Sequence, residues 1–487
     1  MNIIRHSVTL DEEKCRGCIN CIKKCPTEAI RVRNGKAVII SDRCIDCGEC
    51  IRICPQHAKK AIFDPLSMID EFKYKVALPA PTLYGQFKVA VNVDSVLEAL
   101  LQIGFDDIYE VALAAQTISD HTAKTLPESR RVLRDPLISS ACPAIVKLIS
   151  IRFPELVDNV TKVLAPVELS AIAARREAAE KTGLRPEEIG VFFISPCPAK
   201  VTALKHPMAY DQPVVDGVLS MNEIYGKLIS VLEKIKNPPK LSKAGVRGIG
   251  WATSGGEGRA IGEELFIAVD GIQNVVKVLD EVETQKLHHV QFIELNACPG
   301  GCVGGCLTVE NPYVARTRIA RISRTAGTQQ DQNGIDPSSV SEEEMLWRNT
   351  LEYQPILCLN EDRSTAMRMM REIDETVKTL PGLDCGSCGA PSCRALAEDI
   401  VMGTAKEGDC IFKLRERMLP LFEEMSRLQS YMPPTFSVEA GERQRQALAD
   451  EAVGQDGGKD GARNGWIAEN KEVAGTEGQR SGKNGEE

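Results

Sequence analysis

The sequence predicts an α/β protein: a layered central domain set between two small cysteine-rich modules, with a C-terminal tail that does not fold. Three observations carry this. From about residue 70 to 320, short β-rich runs alternate with amphipathic segments, the pattern of stacked sheet and helix. Sixteen of the 18 cysteines fall into groups, eight before residue 55 and four between 385 and 410. From about Ser437 onward Gly, Glu, Gln, Lys and Asn dominate, and so few apolar side chains cannot offset the entropy of ordering.

At 487 residues and 43% hydrophobic content the chain is long enough for two or three domains with a sizeable interior. A formal net charge of -9 argues against nucleic acid or an anionic membrane as the main partner. No apolar run reaches membrane-crossing length, and the opening MNIIRHSVTLDEEKC lacks the apolar stretch of a signal peptide, so a cytoplasmic location and no membrane span are expected. In a large chain without an export signal, grouped cysteines read as metal ligands rather than disulfides. Cys306 and Cys358 are left over, and Cys358 is read as an ordinary buried thiol.

CRGCINCIKKCP from Cys15 and CIDCGECIRICP from Cys44 form a repeat offset by 29 residues. The spacing C-x2-C-x2-C-x3-C-P lets three thiolates wrap one cubane while the fourth reaches the other. Cys15, Cys18, Cys21 and Cys54 are therefore assigned to one 4Fe-4S cluster, and Cys44, Cys47, Cys50 and Cys25 to its partner. Paired zinc sites, the competing reading, need neither the third cysteine of each run nor the trailing Pro26 and Pro55. This two-cluster ferredoxin-like α+β domain is placed at residues 1–66.

The central domain is placed at 67–322. PLISSAC precedes IVKLISIRF, VFFISPC precedes the Lys200 region, GIGWATSGG precedes RAIGEELFIAV, and VQFIELNACPGG precedes LTVENPYVARTRIARI. Each first member reads as a β-rich run, so Cys142, Cys197 and Cys298 stand where a buried strand hands over to a loop or helix, the usual place for ligands in open α/β sheets. Pro143 suits a first helical position, which aims a helix N-terminus at whatever Cys142 binds. Cys302 follows Cys298 across Gly300 and Gly301, with Gly304 and Gly305 beyond, a loop with little bulk against a large inorganic group. Lys200 can direct an ammonium at an anionic ligand of that group.

A linker and helix are expected over 323–378, with a polar stretch from Ser323 to Glu344 and a helical segment from Asp362 to Leu380. A small helical domain at 379–430 carries Cys385, Cys388, Cys393 and Cys410 at C-x2-C-x4-C-x16-C. Those four thiolates suit zinc or a further cubane equally; the two clusters upstream favour the cubane. The segment also resembles the small four-cysteine 4Fe-4S domain of electron-transfer and corrinoid proteins. Residues 431–487 are read as a disordered tail in which Trp466 and Ile467 are an isolated apolar pair.

In this order, behind the ferredoxin-like module, the loops SSACP, SPCPAK and NACPGGCVGG resemble the three signature motifs of the FeFe-hydrogenase catalytic subunit, over about residues 1 to 320. The resemblance implies an H-cluster, a 4Fe-4S cubane joined through one cysteine to a two-iron centre carrying CO, cyanide and a bridging dithiolate amine. Position by position, Cys142, Cys197 and Cys298 would hold the cubane and Cys302 would bridge to the two-iron centre. Lys200 would hydrogen-bond a cyanide, Glu294 matches the motif glutamate, and Pro79 and Ala80 match the small-residue wall. The implied partners are H2 and protons, a redox partner such as ferredoxin, and hydrogenase maturation proteins.

Four positions depart from that pattern. Ala141 stands where highly active relatives carry a proton-relaying cysteine, Ser195 and Asn296 replace methionines, and Ala203 stands near the place of an expected acid. These changes resemble the sensory members of the family, which also carry a C-terminal 4Fe-4S domain; no PAS domain is seen here. The expectation is slow, reversible H2 oxidation and proton reduction, reporting H2 or redox state to a signalling kinase or phosphatase. Glu257, in ATSGGEGRA, is the expected substitute proton carrier, set against its reading as a solvated loop carboxylate. Cys306 is read as a packed or spare thiol. The competing functions are an iron-sulfur assembly factor without H2 chemistry and a plain electron-transfer adaptor.

Overall fold

Each cysteine repeat leaves room for little regular structure, and short strand pairs are what form. In the computed structural model, which describes residues 6–88, 91–132, 136–326, 334–335, 340–356 and 359–431, the N-terminal module holds β1 (Val8–Leu10), β2 (Ile30–Arg33), β3 (Lys36–Ile39) and β4 (Lys59–Ala61). β1 pairs with β4 and β2 with β3, both antiparallel. This is the expected ferredoxin-like arrangement. Cys358 and the tail beyond residue 431 lie outside the described residues.

The central domain is a mixed α/β layer structure with two parallel sheets, as expected. Its strands are β5 (Tyr74–Pro79), β6 (Asp107–Ile108), β7 (Leu137–Ile138), β8 (Ile189–Ser195), β9 (Gly217–Ser220), β10 (Phe266–Asp270) and β11 (Phe292–Asn296). One sheet runs β6-β5-β8-β9 and the other β10-β11-β7. Every residue of β8, IGVFFIS, is buried, because a parallel strand covered on both faces needs a continuous apolar run. Its Phe193 lies opposite Leu78 of β5 and Val218 of β9. The helices Pro166–Thr182 and Met221–Leu232 bury Leu169, Ile224 and Leu228 in the same apolar cluster as this sheet. A second cluster joins Ile293 and Leu295 of β11 to the helix Pro143–Arg152.

β7, β8 and β11 all end at a cysteine loop. Cys142 and Cys197 are the capping residues of the helices Pro143–Arg152 and Pro198–Lys205, each with proline at the first helical position, where a missing N–H costs nothing.

One segment differs from expectation. GIGWATSGG is not a strand but the short helix Val246–Gly250 and a turn, while the β-run lies later, at Phe266–Asp270. Glycine explains it. A β-carbon on Gly248 would lie 2.1 Å from the Ala112 carbonyl oxygen, so this residue serves a close approach of backbones that no strand side chain permits.

The four-cysteine module follows the helix Arg363–Thr379, which Asp362 caps through the Thr365 N–H at 2.7 Å. Its own helix, Cys393–Val401, is capped by Ser392. The module rests on β2 of the N-terminal module. Val32 N donates to Gly389 O at 2.8 Å, Arg31 and Arg33 pair with Asp399 at 2.7 and 2.5 Å, and Arg43 reaches Glu398 at 3.4 Å. All three modules belong to one compact unit, Met1–Leu414; the second unit begins at Arg415, and its described residues continue the helix Ile411–Ser430. Among the described residues no helix is long and apolar enough to cross a membrane.

Candidate metal-cluster centre

The N-terminal cysteines separate into two sets by space, not by sequence order. Cys15, Cys18, Cys21 and Cys54 line one small cavity, and Cys25, Cys44, Cys47 and Cys50 line another. The crossing-over of Cys25 and Cys54 is that expected from the repeat. Backbone N–H groups already point at both crossing sulfurs: Ala29 N donates to Cys25 Sγ at 3.2 Å and Ala58 N to Cys54 Sγ at 3.3 Å.

In the central domain the three loops converge. Lys200, on the helix that Cys197 caps, places its Nζ 3.8 Å from Cys302 Sγ, and the sulfurs of Cys302, Cys197, Cys142 and Cys298, in that order, act on its charge. Burial alone would favour loss of its proton, but those sulfurs outweigh it and hold Lys200 above its ordinary value. Cys298 is buried, and Cys142, Cys197 and Cys302 are half-buried.

Spacing decides between one ion and a cluster. A tetrahedral zinc with Zn–S of about 2.3 Å holds its sulfurs about 4 Å apart. Among the described residues the only three His, Cys, Asp or Glu ligand atoms all within 4.8 Å of one another are those of His6, Cys44 and Asp46. Among the described residues no cysteine quartet closes that tightly, while each N-terminal quartet lines a cavity of its own, an all-thiolate donor set that suits an iron-sulfur cluster. Asp46 is in any case engaged, accepting from Ser7 N at 2.8 Å and Thr202 Oγ1 at 2.8 Å.

The glycines between the ligands also serve the packing of the protein itself. A β-carbon on Gly301 would lie 2.5 Å from Ser254 N, one on Gly304 2.0 Å from Pro299 O, and one on Gly305 2.2 Å from Pro196 O. They let the Cys298–Cys302 loop fold tightly on itself and pack backbone to backbone on the Thr253–Ser254 turn and on Pro196 of the Cys197 loop.

Glu257 is buried, which removes its reading as a solvated loop carboxylate. It accepts from Ser139 Oγ at 2.6 Å, and Ser139 Oγ accepts in turn from Ala141 N at 3.1 Å. Glu294 neighbours it from the middle of β11 and accepts from Gly255 N, Glu257 N, Gly258 N and Asn296 Nδ2 at 2.9 to 3.1 Å. Burial raises Glu294 above its ordinary value, with the donated hydrogen bonds pulling the other way. Burial first, and the Glu294 charge second, push Glu257 up to about 8, with Ser139 pulling the other way. Glu294 also lies in the field of Cys302.

Of the substituted positions, Ser195 donates from Oγ to Cys197 O at 2.9 Å, and Asn296 is spent on Glu294. Ala203 lines a small cavity with Lys200, Ser140 and Glu168, and burial pushes Glu168 up to about 7. Pro79 and Ala80 are buried at the end of β5.

Cys306 lies between the centres: its sulfur is 2.5 Å from where a β-carbon on Gly48 would be, and it feels both Cys197 and Cys50. Beside it Arg52 donates from Nη2 to Gly304 O at 3.1 Å, pairs with Glu49, and faces Cys298 and Cys306. Sequence reasoning passed over Arg52, Glu168 and Ser139. Only Ser139 had a local signal, its place in the SSACP loop.

An iron-only hydrogenase large subunit, C-terminal domain, matches residues 73–261 and 231–306; a 4Fe-4S dicluster domain matches 7–55, and an iron-sulfur domain 380–412. The periplasmic Fe hydrogenase large subunit of Nitratidesulfovibrio vulgaris is 25% identical over 362 residues, 62% of this chain and 86% of that protein. Iron hydrogenase 1 of Clostridium pasteurianum is 23% identical over 369 residues, 61% of this chain and 64% of that protein, so less than two thirds of its length is spanned. A solved structure of an FeFe-hydrogenase from Chlamydomonas reinhardtii aligns over 58% of this chain and 95% of its own at 16% identity, with a TM-score of 0.43.

Proposed function

We propose that this chain, a member of the iron-only hydrogenase large-subunit family through residues 73–306, is a sensory FeFe-hydrogenase that reacts reversibly but slowly with H2 and reports H2 or redox state. Its cofactors would be three 4Fe-4S clusters and an H-cluster. The observation that carries the reading is the half-buried Lys200, its Nζ 3.8 Å from Cys302 Sγ among four converging sulfurs; an ordinary cubane needs no cation there.

In this reading Cys142, Cys197 and Cys298 hold the cubane and Cys302 joins it to the two-iron centre. When bound, that centre supplies the site at which H2 is split or formed. Lys200 offers hydrogen-bond donors to an anionic ligand. Ala141 cannot carry a proton, and loss of a positioned acid or base costs about 10² to 10⁴ in rate. Glu257 takes part of that role, holding a proton one hydroxyl away from the Ala141–Cys142 loop. The N-terminal quartets would hold clusters that supply a route for electrons to a carrier such as ferredoxin. Maturation proteins supply the two-iron centre in the cytoplasm, and a kinase or phosphatase reads the result.

Infrared spectroscopy of the matured protein tests this. Bands from CO and cyanide, with steady-state H2 oxidation well below that of relatives bearing the relay thiol, are the expected result. A full iron complement without those bands would leave an electron-transfer or assembly protein.

A further inference from the structure

The four-cysteine module is fixed to one particular place on the N-terminal module. Gly386, between Cys385 and Cys388, packs on Ile19, Ile22 and Lys23: a β-carbon on Gly386 would lie 3.3 to 3.6 Å from their side chains. Ile19 and Ile22 flank Cys18 and Cys21, two members of the first N-terminal quartet. Lys23 Nζ donates to Pro391 O at 3.0 Å and to Asp384 O, closing the same loop from its other end. Next to Cys388, Gly389 has φ +81° and accepts from Val32 N; a β-carbon there would stand 2.1 Å from Val32 O. Arg31, with a side chain only 5% exposed, is held by Asp399 at 2.7 Å.

The opposite end of the N-terminal module faces the central domain. Cys47 shares an apolar cluster with Cys142 and Cys197, and Gly48 meets Cys306. Within the module, Cys50 of the second quartet feels Cys21 of the first.

From these contacts we infer that the C-terminal four-cysteine module is the outer member of a single electron wire, in the order Cys385 quartet, Cys15 quartet, Cys44 quartet, central quartet. Each step moves one electron from a reduced cluster to the oxidised neighbour, with no bond made or broken and no proton transferred. A low-potential one-electron carrier supplies or removes the electron at the outer end. The inference rests on iron-sulfur clusters at these quartets and on none of the H2 chemistry proposed above.

Electron paramagnetic resonance tests it on the full chain, loaded with clusters but lacking the two-iron centre and reduced with dithionite. The expected wild-type spectrum shows magnetic interaction between the Cys385-quartet cluster and an N-terminal cluster. Cys388→Ser should remove one cluster's iron and leave the N-terminal signal as that of a cluster without this neighbour. Asp399→Ala combined with Glu398→Ala, which removes the ion pairs with Arg31, Arg33 and Arg43 and touches no cysteine loop, should keep the full iron and spin count yet weaken the interaction, which separates undocking from loss of the cluster. An N-terminal signal identical in wild type and Cys388→Ser, with iron intact at the other quartets, overturns the inference. Because infrared bands play no part, its failure and that of the hydrogenase reading are read independently.

Discussion

The Ser139 hydroxyl lies 2.6 Å from Glu257 Oε2, joining two stretches of chain 118 residues apart. Ser139 is three residues before Cys142 and, through Ala141 N, shapes the position that lacks an ionisable side chain. A buried carboxyl thus stands one hydroxyl from the place where a proton carrier is missing.

Replacing Glu257 with Gln keeps the size and the contact with Ser139 but removes the proton. H2 oxidation is expected to fall by about 10² or more, while iron content and any CO and cyanide bands stay as they were. An unchanged rate would remove Glu257 from the proton route.

The same carboxyl sets a pH dependence of stability. Its folded-state value, about 8, lies above its ordinary 4.5, so its contribution is fully present below about 4.5 and is lost as pH rises through about 8. The lost stability is on the order of a few kcal/mol. Thermal unfolding should therefore show Tm falling across that window in the wild type, and a smaller fall in Glu257→Gln. Equal slopes in the two proteins would mean that Glu257 does not hold its proton in the folded state.

Ala141→Cys restores a thiol beside the first cysteine ligand. Turnover is expected to rise by about 10², measured as steady-state H2 oxidation at equal cofactor content. No gain would show that proton delivery to this loop is not what limits the wild type.

Arg52→Gln removes the cation that faces Cys298 and Cys306. A nearby positive charge favours the reduced, more negative state of a cluster, so its loss should lower the midpoint potential of the central cubane by roughly 50 to 100 mV, taking an effective dielectric of about 20. Redox titration followed by electron paramagnetic resonance checks this. A potential unmoved by the substitution would show Arg52 to be a packing residue through Gly304 alone.

What could be read from the sequence was what depends on short stretches. The N-terminal grouping was legible because each run of three cysteines lies within seven residues and the repeat itself implies the exchange of Cys25 and Cys54, and Pro143 and Pro198 marked where helices begin. β8 was visible as an unbroken apolar run. GIGWATSGG misled because its β-like residues are separated by glycines whose purpose, the approach of Gly248 to Ala112, depends on a distant helix. The ATSGGEGRA loop looked solvent-exposed because nothing nearby in sequence reveals that Ser139 and Glu294 meet it from distant parts of the chain. Arg52 gave no signal for the same reason: its meaning lies in Gly304 and Cys298, about 250 residues away.

The pairing of Arg31 with Asp399 joins residues separated by 368 positions, and it bears on how the molecule is made. Synthesis runs from the N-terminus, so the first module leaves the ribosome long before its covering partner exists. Until residue 399 emerges, Arg31 has no carboxylate and Val32 no carbonyl, and that edge strand stays open to solvent or to another nascent chain. Shielding of this edge therefore waits until the four-cysteine module has been made.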